Sequence, residues 1–250
     1  MESDFQAIQE ELYARMLAAR PKEAGALVAE FLAKHGAEAT LSGLLAPVLA
    51  SIGERWSHDR ISLAVAYVAG RVAEDAIEAI MSGVGAGAGI GGATGVAAGR
   101  EAAVSKVAVI GNAKDDYHGL GRRMLSAFLR VAGWKVVDLG YDVLPAEFVD
   151  AALAEGARVI GVSAMMLTNA ENIRRVREEI ERRGLAGRLK LAVGGAVFVM
   201  RPELVAEVGG DGTATTAMGA PELFERLAAE AAEAEAAAGS GGGGSGGGAT

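Results

Sequence analysis

Residues 106–121 read KVAVIGNAKDDYHGLG, and this stretch decides the fold of the second half of the chain. Its apolar run at 107–110 has the length and the β-branched content of a buried strand. A polar loop follows, and residues 122–129 (RRMLSAFL) then show the spacing of an amphipathic helix. His118, the only histidine after residue 58, therefore lies in a strand-to-helix loop beside Asp116.

The same alternation of strand and helix continues through residues 105–237. Strand-like runs at 106–110, 135–139, 158–162 and 189–193 alternate with helical patterns near 119–132, 145–155, 169–183 and 201–208, before a short strand near 212–217 and a last helix from about 220. This pattern predicts an α/β domain with a parallel sheet that helices cover on both faces. A five-stranded, flavodoxin-like doubly wound sheet has the order 2-1-3-4-5 and binds ligands beyond the carboxyl ends of strands one and three.

The composition of the chain divides it into four parts. Residues 1–82 show helical spacing throughout and predict a small four-helix bundle, in which Pro21 suits a helix start. Residues 83–104 are rich in Gly and Ala and predict a flexible linker. The α/β domain at 105–237 follows, and the Gly/Ser-rich residues 238–250 predict a disordered tail.

The overall composition excludes several classes of protein. The net charge of -8 disfavours a general nucleic-acid surface, which needs clustered Lys and Arg. No apolar run approaches the roughly 20 residues of a membrane helix, and residues 1–4 (MESD) do not resemble a secretory signal, so we expect a cytoplasmic protein without a membrane partner. Without cysteine the chain cannot form disulfides, iron–sulfur ligation or thiolate zinc sites. A metal would need N or O ligands, or would arrive inside a cofactor.

Three common occupants of this sheet do not fit the loops at its carboxyl end. A phosphoacceptor receiver domain needs Asp after strand three, where residues 162–163 are Val-Ser. A flavodoxin needs a phosphate cradle after strand one, and the Lys-Asp-Asp sequence at 114–116 would repel phosphate on balance. A dinucleotide-binding domain needs GxGxxG after strand one, which the Gly-Asn-Ala sequence at 111–113 does not begin.

A fourth occupant of this fold fits the loops well. The loops carry Asp116-x-His118-x-x-Gly121, then Ser163-x-Met165, then Gly194-Gly195. This series resembles the cobalamin-binding domain, whose members carry DxHxxG, SxL and GG in the same order and loops. The likeness covers about residues 105–220. The helical unit ahead of it is similar to the four-helix cap of methyltransferase corrinoid proteins and of methionine synthase.

The resemblance implies that cobalamin binds with its dimethylbenzimidazole tail withdrawn from cobalt, a mode called base-off/His-on. His118 would be the lower axial ligand of cobalt, and Asp116 would accept a hydrogen bond from its other ring nitrogen. Ser163 would hydrogen-bond the buried tail, and the glycines would leave room for it. The implied cofactor-binding residues are Asp116, Tyr117, His118, Gly119, Gly121, Ser163, Met165, Gly194 and Gly195.

The likeness also suggests a catalytic role for Asp116 and His118. An imidazole released when cobalt loses its methyl group would readily take up a proton beside a carboxylate. The chain departs from the family pattern at Met165, where Leu is usual, at Gly119, where many members have Asp, and at Leu120, where many have Ile. A third member of the Asp–His relay would be Thr168 or Asn169, and the sequence does not decide between them.

The function that the resemblance implies is that of a methyl carrier, with methylcobalamin or a related corrinoid as cofactor. The chain is too short to add a (β/α)8 barrel of about 250 residues, so methyltransferase subunits or domains on other chains would be its partners. The methyl donor, the acceptor and the oligomeric state stay open.

Two other functions use the same motifs. One is a cobalamin-dependent sensor, whose cap resembles Trp56-x9-Glu-His, although residues 66–67 here are Ala-Tyr. The other is the small subunit of an adenosylcobalamin mutase, which normally lacks the helical cap. We expect Trp56 to pack in the bundle core, and His35 and His58 to be solvated residues at helix ends.

Overall fold

The computed structural model describes residues 2–57, 60–85 and 106–240. The chain divides into two compact units, Met1–Ala97 and Ala98–Thr250. Most of the linker predicted at 83–104, and the tail from residue 241, lie outside the described residues. The domain boundaries predicted from composition therefore stay a prediction.

The first unit is helical. Its elements are α1 (Glu2–Leu17), α2 (Pro21–Glu38), a π-helical segment (Ala39–Leu45), α3 (Ala46–Ser57) and α4 (Leu63–Gly85). Apolar side chains at helical spacing form its buried core, including Leu12, Met16, Val28, Phe31, Leu41, Leu44, Leu45, Val48, Ile52, Val72, Ile77 and Ile80. Pro21 occupies the first turn of α2, where its missing N–H costs no hydrogen bond.

The second and third predicted helices are not joined by a separate loop. Gly36 has φ 80 and ψ 176, which breaks α2, and the chain then passes through the π-helical segment into α3. A residue without Cβ adopts this positive φ without a steric penalty. The carbonyl oxygen of Gly36 accepts hydrogen bonds from the backbone N–H of Ala39 and, at 2.7 Å, from the Thr40 hydroxyl.

One histidine of this unit differs from the expectation. His35 is half-buried and packs on two aromatic rings, with centroids 5.2 Å from Phe5 and 4.4 Å from Phe31, so it is not simply a solvated helix-end residue. His58 and the side chain of Trp56 lie outside the described part of the chain.

One described stretch, Pro21–Arg55, is long and apolar enough to pass as a membrane span by length and composition. Core helices of soluble proteins pass the same test. This stretch contains the break at Gly36, and Val28, Phe31 and Leu41 within it are buried inside the helical unit.

The second unit alternates strands and helices. Its strands are β1 (Val107–Asn112), β2 (Lys135–Asp138), β3 (Val159–Ser163), β4 (Lys190–Gly194) and β5 (Gly212–Thr213). Its helices are α5 (Leu120–Val131), α6 (Pro145–Glu155), α7 (Leu167–Arg182), α8 (Ala196–Met200), α9 (Leu204–Glu207) and α10 (Ala220–Ser240). The strands form one parallel sheet in the order β2-β1-β3-β4-β5, which confirms the predicted fold class.

Alternate residues of each strand pack on opposite faces of this sheet, as the twofold period of a strand requires. On one face, Val109, Ile160 and Leu191 join a core with side chains of α6 and α7. On the other face, Ala108 and Ile110 join a core with side chains of α5 and α10. Burial on both faces explains why the strands read as continuous apolar runs.

The helix predicted near 201–208 is shorter in the structure, where it is α9, and a further short helix, α8, precedes it. Arg201 between them has an extended conformation (φ -137, ψ 77) because a residue before proline, here Pro202, is disfavoured in the helical region. Gly195, which follows β4, is the N-cap residue of α8.

Strand register brings the loops of interest to one edge of the sheet. Asn112 at the end of β1 pairs with Ser163 at the end of β3, and Ser163 pairs with Gly194 at the end of β4. The three predicted motifs therefore begin side by side, at the carboxyl edge where doubly wound sheets bind ligands.

Candidate functional site

A buried carboxylate organises the loop after β1. Asp116 is fully buried, and its Oδ1 accepts hydrogen bonds from the backbone N of His118 at 2.8 Å and from the ring Nδ1 at 3.0 Å. Its Oδ2 accepts a 2.6 Å bond from the backbone N of Met165 in the loop after β3. One side chain thus ties two loops together and fixes a histidine between them.

The His118 ring is the exposed end of this arrangement. Its side chain is 55% exposed, although its partner is 0% exposed. Donation from Nδ1 to Asp116 sets the tautomer in which Nε2 carries the lone pair. A metal-binding histidine is held in this way, because the second hydrogen bond fixes the ring and raises its basicity.

Beneath the loop lies a polar network that sequence reasoning missed. The Nδ2 of buried Asn112 donates to the carbonyl oxygen of His118 at 3.0 Å, and its Oδ1 accepts from Arg122 Nε at 2.7 Å. Arg122, only 4% exposed, also donates through Nη1 to Asp138 at the end of β2. The backbone of His118 is therefore held from below through a buried cation.

A second cluster holds the outer side of the loop. Asp142, in the loop after β2, accepts from Lys114 Nζ at 2.6 Å, from the backbone N of Asp115 at 2.9 Å and from the Tyr117 hydroxyl at 3.0 Å. The hydrogen bond from Lys114 is the main cause that lowers the pKa of Asp142 to about 2. The same contacts raise the pKa of Lys114 and that of Tyr117.

The aromatic ring of Tyr141 connects the two clusters. The Arg122 guanidinium carbon lies over this ring, 4.7 Å from its centroid. The Tyr117 ring stacks with it at 6.5 Å between centroids and 23° between planes. Tyr117 and Tyr141 are both exposed aromatic residues at the mouth of the site, beside His118.

Two glycines of the three motifs border space that no side chain fills. A Cβ added to Gly194 would meet no atom within 4 Å, and one added to Gly121 would meet only the Ser163 hydroxyl, at 3.8 Å. Within the described residues that hydroxyl has no hydrogen-bond partner. Gly195 differs, because its φ is +112 and a Cβ there would lie 2.0 Å from the carbonyl oxygen of Ala164.

The structure thus brings the residues of all three motifs together. Met165 takes part through its backbone N–H, which donates to Asp116. Within the described residues no hydrogen bond joins Asp116 to Thr168 or Asn169, and the third member of the relay stays undecided between them.

The missed residues carried weak signals in the sequence. Asn112 is a polar residue that ends an apolar strand, and Arg122 stands on the buried stripe of α5 with Ser126 and Leu129. A charge at such a spacing indicates a buried polar network. No comparable signal marks Asp142, which is a loop residue.

The imidazole of His118 and the hydroxyl of Ser163, both left available here, fit a corrin. His118 Nε2 offers one strong nitrogen donor, and the Ser163 hydroxyl, near the open positions of Gly121 and Gly194, has no hydrogen-bond partner among the described residues. In the part of the chain that the structure describes, no three His, Asp or Glu side chains are grouped as metal ligands. Fold and site together define a two-domain corrinoid-binding protein.

Two family models match the chain. Residues 106–222 match the B12 binding domain, and residues 8–81 match a second model with the same description. The chain therefore carries B12 binding domains at residues 8–81 and 106–222, and its cofactor is a cobalamin or a related corrinoid. The resemblance inferred from the three motifs is confirmed.

Several curated proteins are similar to part of the chain. Dimethylamine corrinoid protein 2 of Methanosarcina mazei is 40% identical over 97 residues, which is 38% of this chain and 45% of that protein. Trimethylamine corrinoid protein 1 of the same organism is 39% identical over 88 residues, or 35% and 41% of the two chains. A corrinoid protein of Desulfitobacterium hafniense is 34% identical over 119 residues, or 48% and 54%. The chain spans about half the length of the curated relatives it matches.

Solved structures support the fold. The monomethylamine corrinoid protein of Methanosarcina barkeri matches with a TM-score of 0.68 at 22% identity, over 87% of this chain and 97% of that one. A cobalamin-binding protein of Desulfitobacterium hafniense matches with a TM-score of 0.51 at 18% identity, over 88% and 98%. At these identities the likeness concerns architecture, and it extends over both units.

Proposed function

We propose that this chain binds cobalamin base-off/His-on and carries a methyl group between partner methyltransferases. The observation that supports the proposal is the His118 ring, which is exposed at the carboxyl edge of the sheet while Asp116 fixes its Nδ1 from a buried position. Nε2 of His118 would be the lower axial ligand. Bound cobalamin would supply the cobalt atom on which a methyl group is carried.

Asp116 prepares His118 for this role in two ways. It accepts the Nδ1 proton, so that the lone pair is on Nε2, and it makes Nε2 a better donor to a metal. The hydrogen bond from the Met165 backbone N–H to the other oxygen of Asp116 would keep the carboxylate in place whether or not the ring is bound to metal. When His118 is not bound to metal, the hydrogen bond from Nδ1 to Asp116 still holds the ring in place.

The remaining motif residues would hold the withdrawn tail of the cofactor. The space next to Gly121 and Gly194 is open, because glycine has no side chain and almost no other atom lies within 4 Å of a Cβ built there. The Ser163 hydroxyl beside Gly121 is available as a hydrogen-bond donor. Ser163 is half-buried, and a ligand nitrogen that accepts from its hydroxyl would gain a hydrogen bond that no residue described in the structure supplies. We assign the tail to this space.

The partners follow from the names of the relatives. Because proteins named for dimethylamine and trimethylamine are about 40% identical over their matched parts, methyltransferases acting on methylated amines are the first partner class to test. Such partners are supplied by other chains. We further propose that the reaction takes place in the cytoplasm.

Isotope labelling tests the ligation directly. The apo-protein is produced with natural or ¹⁵N-labelled histidine, loaded with cobalamin, reduced to Co(II) and measured by electron paramagnetic resonance. If a protein histidine is the axial ligand, the label changes the nitrogen superhyperfine pattern, and His118→Ala abolishes that change. His35→Gln, in the helical unit, is the matched control and should keep it. A pattern insensitive to the label means that the benzimidazole stays on cobalt, and would overturn the proposed binding mode.

Methyl transfer is tested separately. The loaded protein is reduced chemically to Co(I) and mixed with a dimethylamine-specific methyltransferase and dimethylamine, and formation of the methylated cofactor is followed by its absorption spectrum. Methylation that depends on both protein components supports the carrier role. If methylamine, methanol and aryl methyl ether methyltransferases all fail to methylate a cofactor that is correctly bound, the carrier role is wrong.

A further inference from the structure

Tyr141 is held rigidly beside the His118 loop. The Arg122 guanidinium covers its ring at 4.7 Å, and Arg122 is itself fixed by Asn112 and Asp138. The Tyr117 ring stacks with it at 6.5 Å. A cation over an aromatic ring and a stacked neighbour both restrict the ring to one orientation. The position of the Tyr141 hydroxyl is therefore set before any ligand binds.

That hydroxyl occupies the place of a side chain at residue 119. A Cβ built on Gly119 would lie 2.3 Å from the Tyr141 hydroxyl oxygen and 2.7 Å from Cε1 of the ring. The backbone of Gly119, with φ -82 and ψ -15, is open to every L-residue, so glycine is not required for conformation. The absence of a side chain at Gly119 leaves room for Tyr141. A side chain at residue 119 and the Tyr141 hydroxyl could not occupy this space together.

The hydroxyl also lacks a partner within the protein. No hydrogen bond to it is formed within the described ranges, and Tyr141 is 38% exposed. A phenol can both donate and accept a hydrogen bond. The Tyr141 hydroxyl lies against Gly119, the residue that follows His118. It can therefore form a hydrogen bond with a ligand that lies across this loop.

We propose that Tyr141 is a further cofactor-binding residue, whose hydroxyl hydrogen-bonds an amide group on the rim of the corrin ring. This inference rests on the proposed ligation by His118, which places the ring across the loop. The corrin rim of cobalamin bears primary amides, and a neutral group that both donates and accepts matches an amide. Gly119 contributes because, without a side chain, it leaves room for the Tyr141 hydroxyl.

The competing explanation is that Tyr141 only packs against Arg122. Tyr141→Phe separates the two, because it keeps the ring and its contact with the guanidinium while it removes the hydroxyl. The probes are cobalamin and cobinamide, which keeps the rim amides but lacks the nucleotide tail and its phosphate. Affinity is measured by quenching of protein fluorescence, and the stability of the apo-protein by thermal unfolding.

We expect Tyr141→Phe to weaken both ligands by about three- to tenfold, the effect of one hydrogen bond, without a change in apo stability. The matched control, Tyr13→Phe, removes a phenol hydroxyl from the helical unit and should leave both affinities unchanged. Unchanged affinity for both ligands in Tyr141→Phe would overturn the inference. A loss for cobalamin alone would also overturn it, because the hydroxyl would then contact the tail rather than the rim.

A second variant tests the link to Gly119. Gly119→Ala should displace the hydroxyl and weaken binding by a similar factor, and the double variant with Tyr141→Phe should lose little more than either alone. Losses that multiply would show that residue 119 acts independently, which contradicts the assignment.

The two proposals fail in different ways. If histidine labelling shows no protein ligand on cobalt in the wild-type chain, the proposed binding mode fails, and the Tyr141 contact fails with it. If His118 ligation is observed and Tyr141→Phe keeps full affinity for both probes, only the Tyr141 contact is wrong.

Discussion

One oxygen of Asp116 holds both the backbone and the ring of His118, with Oδ1 2.8 Å from the backbone N and 3.0 Å from Nδ1. The other oxygen is bonded to the loop after β3 through the Met165 backbone N–H. The ring orientation is therefore coupled to the spacing of two loops. A change at Asp116 should affect both the stability of the α/β unit and the ligation of cobalt.

Asp116→Asn removes the charge of the buried carboxylate and one of its hydrogen bonds. Compared with the same change at an exposed aspartate, it shows the effect of the buried contacts alone. An amide has a single acceptor oxygen, so its NH2 group would face either the His118 or the Met165 donor and leave it unpaired in a buried site. We expect a loss of about 1–3 kcal/mol in the free energy of unfolding, measured in urea, and a smaller His-on fraction in the absorption spectrum of the loaded protein.

Asp115→Asn is the control for that experiment. Its side chain is 67% exposed and lies 3.5 Å from Lys114 Nζ, so we expect a change within about 0.5 kcal/mol. Equal losses in the two variants would mean that the buried hydrogen bonds of Asp116 are not formed in solution.

The two adjacent glycines after β4 should behave differently. Gly195→Ala forces a Cβ into a backbone conformation with φ +112, 2.0 Å from the Ala164 carbonyl oxygen, and we expect the apo-protein to lose about 2 kcal/mol or more. Gly194→Ala meets no atom within 4 Å and should change apo stability by less than about 1 kcal/mol. Both are measured by urea unfolding of the apo-protein.

Gly194→Ala should instead weaken cobalamin more than cobinamide, because the added methyl group enters the space assigned to the nucleotide tail. The affinities of the two ligands are compared in the wild type and the variant. An equal effect on both ligands would place the tail elsewhere.

The parts of this fold that follow from local pattern were predictable, and those that depend on contacts across the sheet were not. The apolar runs of β1, β3 and β4 show the strands, and the loops that follow them carry the motifs, so Asp116, His118 and Ser163 could be assigned to one edge of the sheet from sequence. The contact of Tyr141 with Gly119 depends on how β2 lies beside β1, which no local pattern encodes. The same holds for Asp142, which reaches back over the β1 loop.

Arg122 should be essential to the network beneath His118. Arg122→Met keeps much of the side-chain volume but leaves the Oδ1 of Asn112 and the carboxylate of Asp138 without their donor. Breaking a buried ion pair by removing one partner costs about 3–5 kcal/mol, and we expect a loss toward the lower end, because Asp138 is 25% exposed. Urea unfolding of the apo-protein measures it.

Arg174→Met, on the exposed side of α7, is the control and should stay within about 0.5 kcal/mol. If Arg122→Met is as stable as this control, the buried pair does not form. Arg122→Lys should recover part of the stability, since it restores the charge but not the two directed hydrogen bonds.

The Asp142 cluster should be visible in the pH dependence of stability. The pKa of Asp142 lies at about 2, below the ordinary value of 3.8, chiefly because Lys114 donates a hydrogen bond to the charged form. The folded state thus binds this proton less readily than the unfolded state, so the contribution of Asp142 is fully present above pH 3.8 and is lost as the pH falls toward 2. Melting temperatures of the wild type and Asp142→Asn should converge over this interval.

The carboxyl ¹³C resonance of Asp142, followed as a function of pH, gives the midpoint of its titration directly. Lys114→Met should raise this midpoint because the principal hydrogen-bond donor is removed. Glu179 is a useful comparison in the same spectra, since its pKa is also lowered to about 2, by Arg182 and Arg183 on α7 and the turn after it. The Lys114 substitution should leave the Glu179 midpoint unchanged. A midpoint of Asp142 near its ordinary value in the wild type would show that Lys114, Asp142 and Tyr117 do not form this cluster in solution, and that the outer side of the His118 loop is held in another way.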